Sequence, residues 1–281
     1  MSVPKHLQPD PLVSAARLPA ASGELAALVA TPAPGVERRR EVLLVPGYTG
    51  SKEDFWHLLP ILAHNGHPAT AIDLRGQYES GGPEDITAYT TDALGADVAA
   101  LLASAPAPVH LVGHSFGGQV CRAAVLSGAP VRSLTLLGSG PGALGGHRAA
   151  LVEAMRPMLL DGGVPQVWEA TVALNAAAAA MQPPEVQSFI ERRFLASPAA
   201  ALLGMGEELA HAVDRTEELA AAGVAILVAC GENDDAWSPA EQQQMAIRLG
   251  APYVAIPGAG HSPAVDQPDA VAAAFESFWT D

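Results

Sequence analysis

Short apolar segments alternate with longer alanine-rich segments along most of this 281-residue chain. The apolar segments predict strands at 25–30, 42–45, 69–73, 109–112, 133–137, 225–229 and 253–256. The amphipathic segments between them predict helices at 54–64, 91–103, 117–126, 239–249 and 268–279. Strands that alternate with helices are typical of a mainly parallel sheet that is covered by helices on both faces. We therefore expect an α/β fold.

The alternation is interrupted between residues 140 and 215, where no segment has the pattern of a strand. This region instead predicts helices at 148–160, 164–180, 184–195 and 199–212, separated by glycine and proline breakers. We expect a core formed by residues 1–139 and 216–281, with a helical lid at 140–215 inserted between two strands of the sheet.

A serine flanked by glycines, in the sequence LVGHSFGG, connects a predicted strand to a predicted helix. A serine on such a sharp turn presents its hydroxyl at the corner, and Gly113 and Gly117 leave space for the corner to close. The backbone N–H of Phe116 then lies near a helix N-terminus, where it can stabilise a developing negative charge. Serine is also a favoured helix cap, so the interpretation of Ser115 as a nucleophile depends on partners elsewhere in the chain.

Candidate partners follow two later strands. Acidic residues occur in CGENDD after the strand at 225–229, and His261 occurs in GAGHSP after the strand at 253–256. Because the carboxyl ends of parallel strands lie at one edge of a sheet, these groups are expected to meet Ser115 there. The chain order of serine, acid and histidine is one of the known triad orders, in which the histidine takes the proton of the serine.

The segments PGYTGS, DLRG, GHSFGG, GENDD and GAGHSP, in this order, resemble the α/β-hydrolase superfamily and its lidded, serine esterase-type branch. The resemblance covers about residues 25–279 and implies a lid inserted after the sixth strand. It also implies that the backbone N–H groups of Tyr48 and Phe116 form the oxyanion hole. The chain departs from the family at Pro46, where many members carry histidine, and at Gln77, which leaves the shape of that loop open.

Two adjacent carboxylates compete for the role of triad acid. The family pattern places the acid three residues after the glycine, which favours Asp234, whereas counting back from Pro239 favours Asp235. We assign Asp234 and keep Asp235 as the alternative. His114, inside the serine motif, is expected to point away from the site.

Four apolar side chains are candidates for a substrate pocket, namely Trp237, Trp168, Met155 and Met181. Apolar residues at helical spacing more often belong to a hydrophobic core, so both interpretations stay open.

The composition indicates which classes of partner and which cellular location to expect. Thirty acidic and 15 basic residues give a net charge of −15, which repels nucleic acids and anionic membrane surfaces. No apolar run reaches the roughly 18 residues of a membrane span, and the N-terminal segment has no signal-peptide pattern. Cys121 and Cys230 lie in apolar patterns, which favours free thiols and a cytoplasmic location. The oligomeric state is not determined by these patterns.

No histidine pair has a metal-ligand spacing and no glycine-rich nucleotide motif follows a strand, so we expect neither a metal nor a cofactor. The resemblance implies hydrolysis of a small to medium, largely apolar ester, lactone or thioester through an acyl-enzyme. Carbon–carbon bond hydrolysis and cofactor-free, haloperoxidase-type perhydrolysis use similar residues and stay open. A non-catalytic small-molecule receptor on the same fold is the alternative of another class.

Overall fold

An eight-stranded sheet runs through the centre of the computed structural model, which describes residues 2–279. Its strands are β1 (Val13–Ala20), β2 (Gly23–Ala30), β3 (Val42–Val45), β4 (Ala69–Ile72), β5 (Val109–His114), β6 (Val131–Leu137), β7 (Ile226–Gly231) and β8 (Tyr253–Ile256). They are arranged in the order β1-β2-β4-β3-β5-β6-β7-β8. The pairs β1–β2 and β2–β4 are antiparallel, and all other pairs are parallel. The expected mainly parallel α/β sheet is confirmed.

Helices connect the parallel strands and cover both faces of the sheet. They are α1 (Leu58–His64), α2 (Thr91–Ser104), α3 (Phe116–Leu126), α4 (Gly146–Asp161), α5 (Gly163–Leu174), α6 (Ala176–Ala179), α7 (Pro184–Leu195), α8 (Ala199–His211), α9 (Thr216–Ala221), α10 (Pro239–Leu249), α11 (Pro263–Asp266) and α12 (Pro268–Phe278). Two short 3-10 helices lie at Lys52–Phe55 and Ile86–Tyr89.

Successive residues of the central strands enter two separate hydrophobic clusters. In β3, Leu43 and Val45 face the cluster that contains α2 and α3, whereas Val42 and Leu44 face the cluster that contains α1 and α12. Because neighbouring side chains of a strand point to opposite faces, a strand covered on both sides must be apolar at every position. This explains the continuous apolar runs in the sequence.

The structure differs from the sequence-based expectation in two elements that were not predicted and in two predicted helices that are divided. Strand β1 is not among the predicted strands, because its segment VSAARLPA is half exposed and contains a proline, and it is stabilised by its antiparallel pairing with β2. The helix predicted at 54–64 is a buried 3-10 turn followed by α1. The helix predicted at 164–180 is divided at Asn175 into α5 and α6. Helix α9 is likewise absent from the predicted helices.

Five helices, α4 to α8, lie between β6 and β7, and we call them the inserted helices. They share a small apolar cluster of their own, which includes Leu159, Val167 and Phe194. They are attached to the rest of the molecule by a buried ion pair, in which Nη1 of Arg193 lies 2.8 Å from Oδ1 of Asp54. These contacts hold the inserted helices next to the carboxyl ends of the strands.

Candidate active site

Ser115 occupies a strained turn between β5 and α3. Its backbone has φ 54° and ψ −121°, a conformation that residues other than glycine rarely adopt. A Cβ atom on Gly117 would collide with the carbonyl groups of Val45 and Pro46, and one on Gly113 would collide with Gly117. The two glycines are therefore needed for the close approach of β5, α3 and the loop after β3, which is the geometry expected of a nucleophile elbow.

The side chains of Ser115, His261 and Asp234 form a continuous hydrogen-bonded chain. The Nε2 atom of His261 lies 2.9 Å from Oγ of Ser115, and its Nδ1 atom lies 2.9 Å from Oδ1 of Asp234. Since a carboxylate only accepts, Nδ1 carries the proton and Nε2 is free to accept the proton of the serine. These residues follow β5, β8 and β7, so the sheet brings together three groups that are distant in sequence.

The two adjacent carboxylates have different surroundings. Asp234 is buried and accepts further hydrogen bonds from the N–H of Ala236 and from Nε2 of Gln242, each at 3.0 Å. Burial alone would raise the pKa of Asp234, but the hydrogen bonds, with that of His261 the strongest, keep its pKa below the usual value. Asp235 instead faces solvent with 59% of its side chain exposed and forms an ion pair with Arg148. The structure therefore places Asp234, and not Asp235, against His261.

The loop after β3 packs directly against the serine. A Cβ atom on Gly47 would lie 2.9 Å from Cβ of Ser115. Within the described chain, the backbone N–H groups of Tyr48 and Phe116 are not hydrogen-bonded to any other residue. The side-chain hydroxyl of Tyr48 donates to the carbonyl oxygen of Leu202 at 2.9 Å. Two unpaired N–H groups next to a nucleophile are the arrangement that an oxyanion hole requires.

His114 contacts the site through the backbone of His261. Its Nε2 atom donates to the carbonyl oxygen of His261 at 2.7 Å. Burial, together with the neighbouring His261, lowers the pKa of His114 to about 4, so its ring is neutral at physiological pH. His114 is therefore not directed away from the site, as its sequence position had suggested, but supports the segment that carries His261.

A cavity of about 860 Å³ extends from Ser115 and His261 into the inserted helices. The apolar part of its lining includes Met155, Met158, Trp168 and Phe194. Trp168 and Met155 are thus placed where the sequence analysis expected pocket residues. The volume is within the usual range for sites that bind small organic molecules.

Two of the four expected pocket residues lie outside this cavity, and their assignment is corrected. Met181 follows the short helix α6 and is 86% exposed to solvent. Trp237 is buried in the core, where its ring packs on Gly140 and its Nε1 donates to the carbonyl oxygen of Ala143. The assignment of Met181 rests on a set of apolar residues in predicted helices, and such a pattern does not distinguish a pocket-facing side chain from a surface one. The assignment of Trp237 rests on its closeness to the acid in sequence, and this proximity does not fix the direction of its side chain.

A sequence profile of the alpha/beta hydrolase family matches residues 42–274, which is most of the chain. The chain belongs to the alpha/beta hydrolase family.

Among curated proteins, the human lysosomal thioesterase PPT2 is 36% identical over 100 residues, which cover 34% of this chain and 32% of that protein. The match therefore spans only about a third of the length of that relative.

Solved structures extend the likeness to nearly the whole chain. An esterase from Thermogutta terrifontis has a TM-score of 0.70 and 23% identity, covering 94% of this chain and 97% of that one. An enol-lactonase from Burkholderia xenovorans has a TM-score of 0.74 and 19% identity, covering 95% and 100%. At these identities the likeness shows the shared fold.

Two residues of this alpha/beta hydrolase that lie beside the triad are absent from the sequence-based site. Gln242 lies on the buried face of α10 with Met245 and Ala246, and this polar residue on an apolar helical face was a signal that could have revealed it. Ser2 lines the cavity, and its Oγ lies 2.9 Å from Oγ of Ser262. The N-terminal segment has no periodic pattern that would have placed Ser2 there.

The hydrolase shows neither a candidate metal cluster nor a membrane span within residues 2–279. No three histidine, cysteine or acidic side chains converge there in a way that could hold a metal ion. None of the helices in that range has the length and the apolar character needed to cross a bilayer. Both cysteines, Cys121 and Cys230, are buried free thiols.

Proposed function

We propose that the protein is a serine hydrolase that cleaves carboxylic esters, including lactones or thioesters, through an acyl-enzyme intermediate. The observation that carries this proposal is the hydrogen-bonded chain from Ser115 through His261 to Asp234. It lies beside two unpaired backbone N–H groups and lines a mostly apolar cavity. Membership of the alpha/beta hydrolase family and the thioesterase and esterase relatives support the same conclusion.

In the proposed acylation step, Oγ of Ser115 attacks the carbonyl carbon of the substrate while its proton moves to Nε2 of His261. The carbonyl oxygen becomes an oxyanion and accepts hydrogen bonds from the N–H groups of Tyr48 and Phe116. Collapse of this intermediate breaks the ester bond, and Nε2 of His261 gives its proton to the departing alcohol or thiol. Asp234 keeps the imidazole in the required tautomer and stabilises its charged form.

Deacylation repeats these steps with water. Nε2 of His261 takes a proton from water as the oxygen attacks the acyl carbon, and a second oxyanion forms at the same two N–H groups. When the bond to Oγ breaks, the proton returns from His261 to Ser115 and the carboxylic acid leaves. His261 carries the proton in each step. The cycle therefore uses the substrate, one water molecule and the groups of this chain.

The lining of the cavity supports an apolar acyl or alcohol group of small to medium size. Methionine, tryptophan, phenylalanine and leucine side chains of the inserted helices surround the space beyond Ser115. We propose that residues 140–215 act as the cap that selects the substrate, while residues 1–139 and 216–281 carry the chemistry.

The net charge of −15 disfavours anionic substrates by long-range repulsion. The free thiols fit a reducing compartment, and we place the protein in the cytoplasm.

A fluorophosphonate probe tests the proposal directly, because it reacts only with an activated serine. We expect covalent labelling at Ser115 that is abolished in Ser115→Ala and in His261→Ala. Folded wild-type protein that is not labelled would overturn the proposal and favour a non-catalytic receptor. The reaction is then identified with p-nitrophenyl esters of increasing acyl length, beside thioesters, lactones and a carbon–carbon bond substrate. Labelled protein that cleaves only the last of these would contradict ester hydrolysis.

A further inference from the structure

Gln77 is buried beneath the loop that carries the proposed oxyanion donor. It lies in the segment DLRGQYES after β4, and 2% of its surface is exposed. Its Nε2 atom donates to the carbonyl oxygen of Gly47 at 2.8 Å. Its Oε1 atom accepts from the N–H of Leu74 at 2.9 Å. Because one partner only donates and the other only accepts, the orientation of the Gln77 amide is unambiguous.

The carbonyl of Gly47 and the N–H of Tyr48 belong to the same peptide unit. That unit is planar and trans, so its C=O and N–H point in opposite directions and rotate together. A donor that holds the carbonyl oxygen on one side therefore aims the N–H of Tyr48 to the other side. We propose that Gln77 is a positioning residue that keeps the Gly47–Tyr48 peptide oriented so that the Tyr48 N–H faces the oxyanion.

The local structure of the loop makes such an anchor necessary. Gly47 has no side chain to restrict its backbone, and Thr49 in the same loop has φ 57°. The Gly47 carbonyl also accepts from the N–H of Gly50 at 3.0 Å, but that bond lies within the loop and moves with it. The bond from Gln77 joins the loop to a separate, buried segment of the fold.

Rotation of the peptide would have two costs. It would turn a carbonyl oxygen toward the space where the oxyanion forms, and it would leave the buried Nε2 of Gln77 without an acceptor. The first would repel the developing negative charge, and the second would leave a desolvated donor unpaired. The hydrogen bond thus favours the orientation that stabilises the transition state, and this role rests on the proposed function.

Substitution of Gln77 is expected to lower kcat and leave KM nearly unchanged. Loss of an oxyanion donor costs about 10²–10³-fold, and Gln77→Leu misorients a donor without removing it, so we expect a fall of about 10–100-fold in kcat. The affinity of a trifluoromethyl ketone, which forms an oxyanion on Ser115, should fall in parallel. The affinity of the product alcohol, which forms no oxyanion, should stay the same. A merely structural role would not separate these two ligands.

Gln77→Glu gives a second, nearly isosteric test. A protonated carboxyl group at this position can donate to Gly47 while it accepts from Leu74, but an ionised one cannot donate. We therefore expect kcat of this variant to fall as the pH rises through the pKa of the introduced carboxyl group, down to the level of Gln77→Leu. Wild-type kcat has no such limb, because an amide does not titrate.

Gln119 provides a matched control. It has the same exposed fraction of 2%, and its Nε2 donates to the carbonyl oxygen of Gly142 at 3.0 Å, away from the Gly47–Tyr48 peptide. Gln119→Leu should lower Tm without lowering kcat in parallel with ketone affinity. If Gln77→Leu keeps wild-type kcat, or if the pH profile of Gln77→Glu coincides with that of the wild type, the inference is wrong. Failure of the wild type itself to hydrolyse esters or react with fluorophosphonate would instead contradict the proposed function.

Discussion

The strand ends of the core and the inserted helices form opposite sides of one cavity, yet they are built differently. Every residue of β3, β5 and β7 is buried, and Asp234, which follows β7, is held by hydrogen bonds with His261, Ala236 and Gln242. In the inserted helices, α4 buries only Leu159 and α6 buries none of its residues. Of the ten exposed large hydrophobic side chains in the described chain, seven lie between residues 140 and 215.

The difference indicates a division of tasks. Catalysis requires groups fixed within fractions of an ångström, and the buried strand ends supply that rigidity. The inserted helices contribute mostly apolar surface, which can change without disturbing the triad. The two regions are joined mainly through α8, whose Ala201, Met205 and Leu209 pack in the core cluster. The Arg193–Asp54 ion pair and the bond from Tyr48 to Leu202 add polar contacts between them.

The largest predicted effect is on kcat and compares two neighbouring carboxylates. Asp234 contacts His261 of the core, whereas Asp235 pairs with Arg148 of the inserted helices. Asp234→Asn should lower kcat about 10⁴-fold, because His261 loses the acceptor that fixes its tautomer. Asp235→Asn, which breaks only an exposed ion pair with Arg148 of the inserted helices, should change kcat at most about fivefold. Steady-state hydrolysis of a p-nitrophenyl ester measures both. A larger loss in the second variant would reverse our assignment of the acid.

The second prediction concerns the attachment of the inserted helices. Arg193→Met leaves the buried carboxylate of Asp54 without its partner and should destabilise the protein by about 3–5 kcal/mol. Adding Asp54→Leu removes the unpaired charge, so the double variant should recover part of this loss. Urea unfolding gives the free energies. A single variant within about 1 kcal/mol of the wild type would show that the two regions are not held together in this way.

The third prediction uses the pH dependence of stability to test whether His114, at the end of β5, is buried in its neutral form. The pKa of His114 is lowered by burial from 6.5 to about 4, so protons bind more strongly to the unfolded chain. Stability is then fully present above pH 6.5 and is lost as the pH falls toward 4, by about 3 kcal/mol from this group. Glutamine does not titrate, so the free energy of unfolding of His114→Gln should decrease less than that of the wild type between neutral pH and pH 4. Equal pH dependence in both proteins would contradict a buried, neutral His114.

The smallest predicted effect concerns substrate selection by the inserted helices. Trp168 lines the cavity and packs on Phe194, so Trp168→Ala should lower kcat/KM about 10–100-fold for the longest esters that the wild type accepts. Acetate esters should be hydrolysed at nearly the wild-type rate. Met181→Ala, at an exposed position of the same region, is the control and should change neither. A loss that is equal for all acyl lengths would mean that the inserted helices act on the chemistry and not on selection.

Much of the fold could be predicted because it follows from local periodicity. The bounds of β3, β8, α7 and α10 match the predicted segments, since each has a proline or glycine at or directly beside at least one of its ends. Strand β1 could not be predicted in this way, because its segment is half exposed, contains a proline and lies at the edge of the sheet, where it pairs with β2. The division of the helix at Asn175 could not be predicted either, because the alanine-rich segments on both sides of Asn175 favour helix.

At the candidate site, the sequence alone determined the kinds of groups and the strand ends on which they stand, because strand, turn and helix are encoded by neighbouring residues. It determined Ser115 on a glycine-flanked turn and His261 after the last strand. Only the tertiary structure decided which carboxylate faces His261, which side chains line the cavity, and that Gln77 reaches the carbonyl of Gly47. The hydrogen bonds Asp234–His261, Gln77–Gly47 and Ser115–His261 join residues that are 27, 30 and 146 positions apart. Their geometry depends on the direction of each side chain, which no local pattern records.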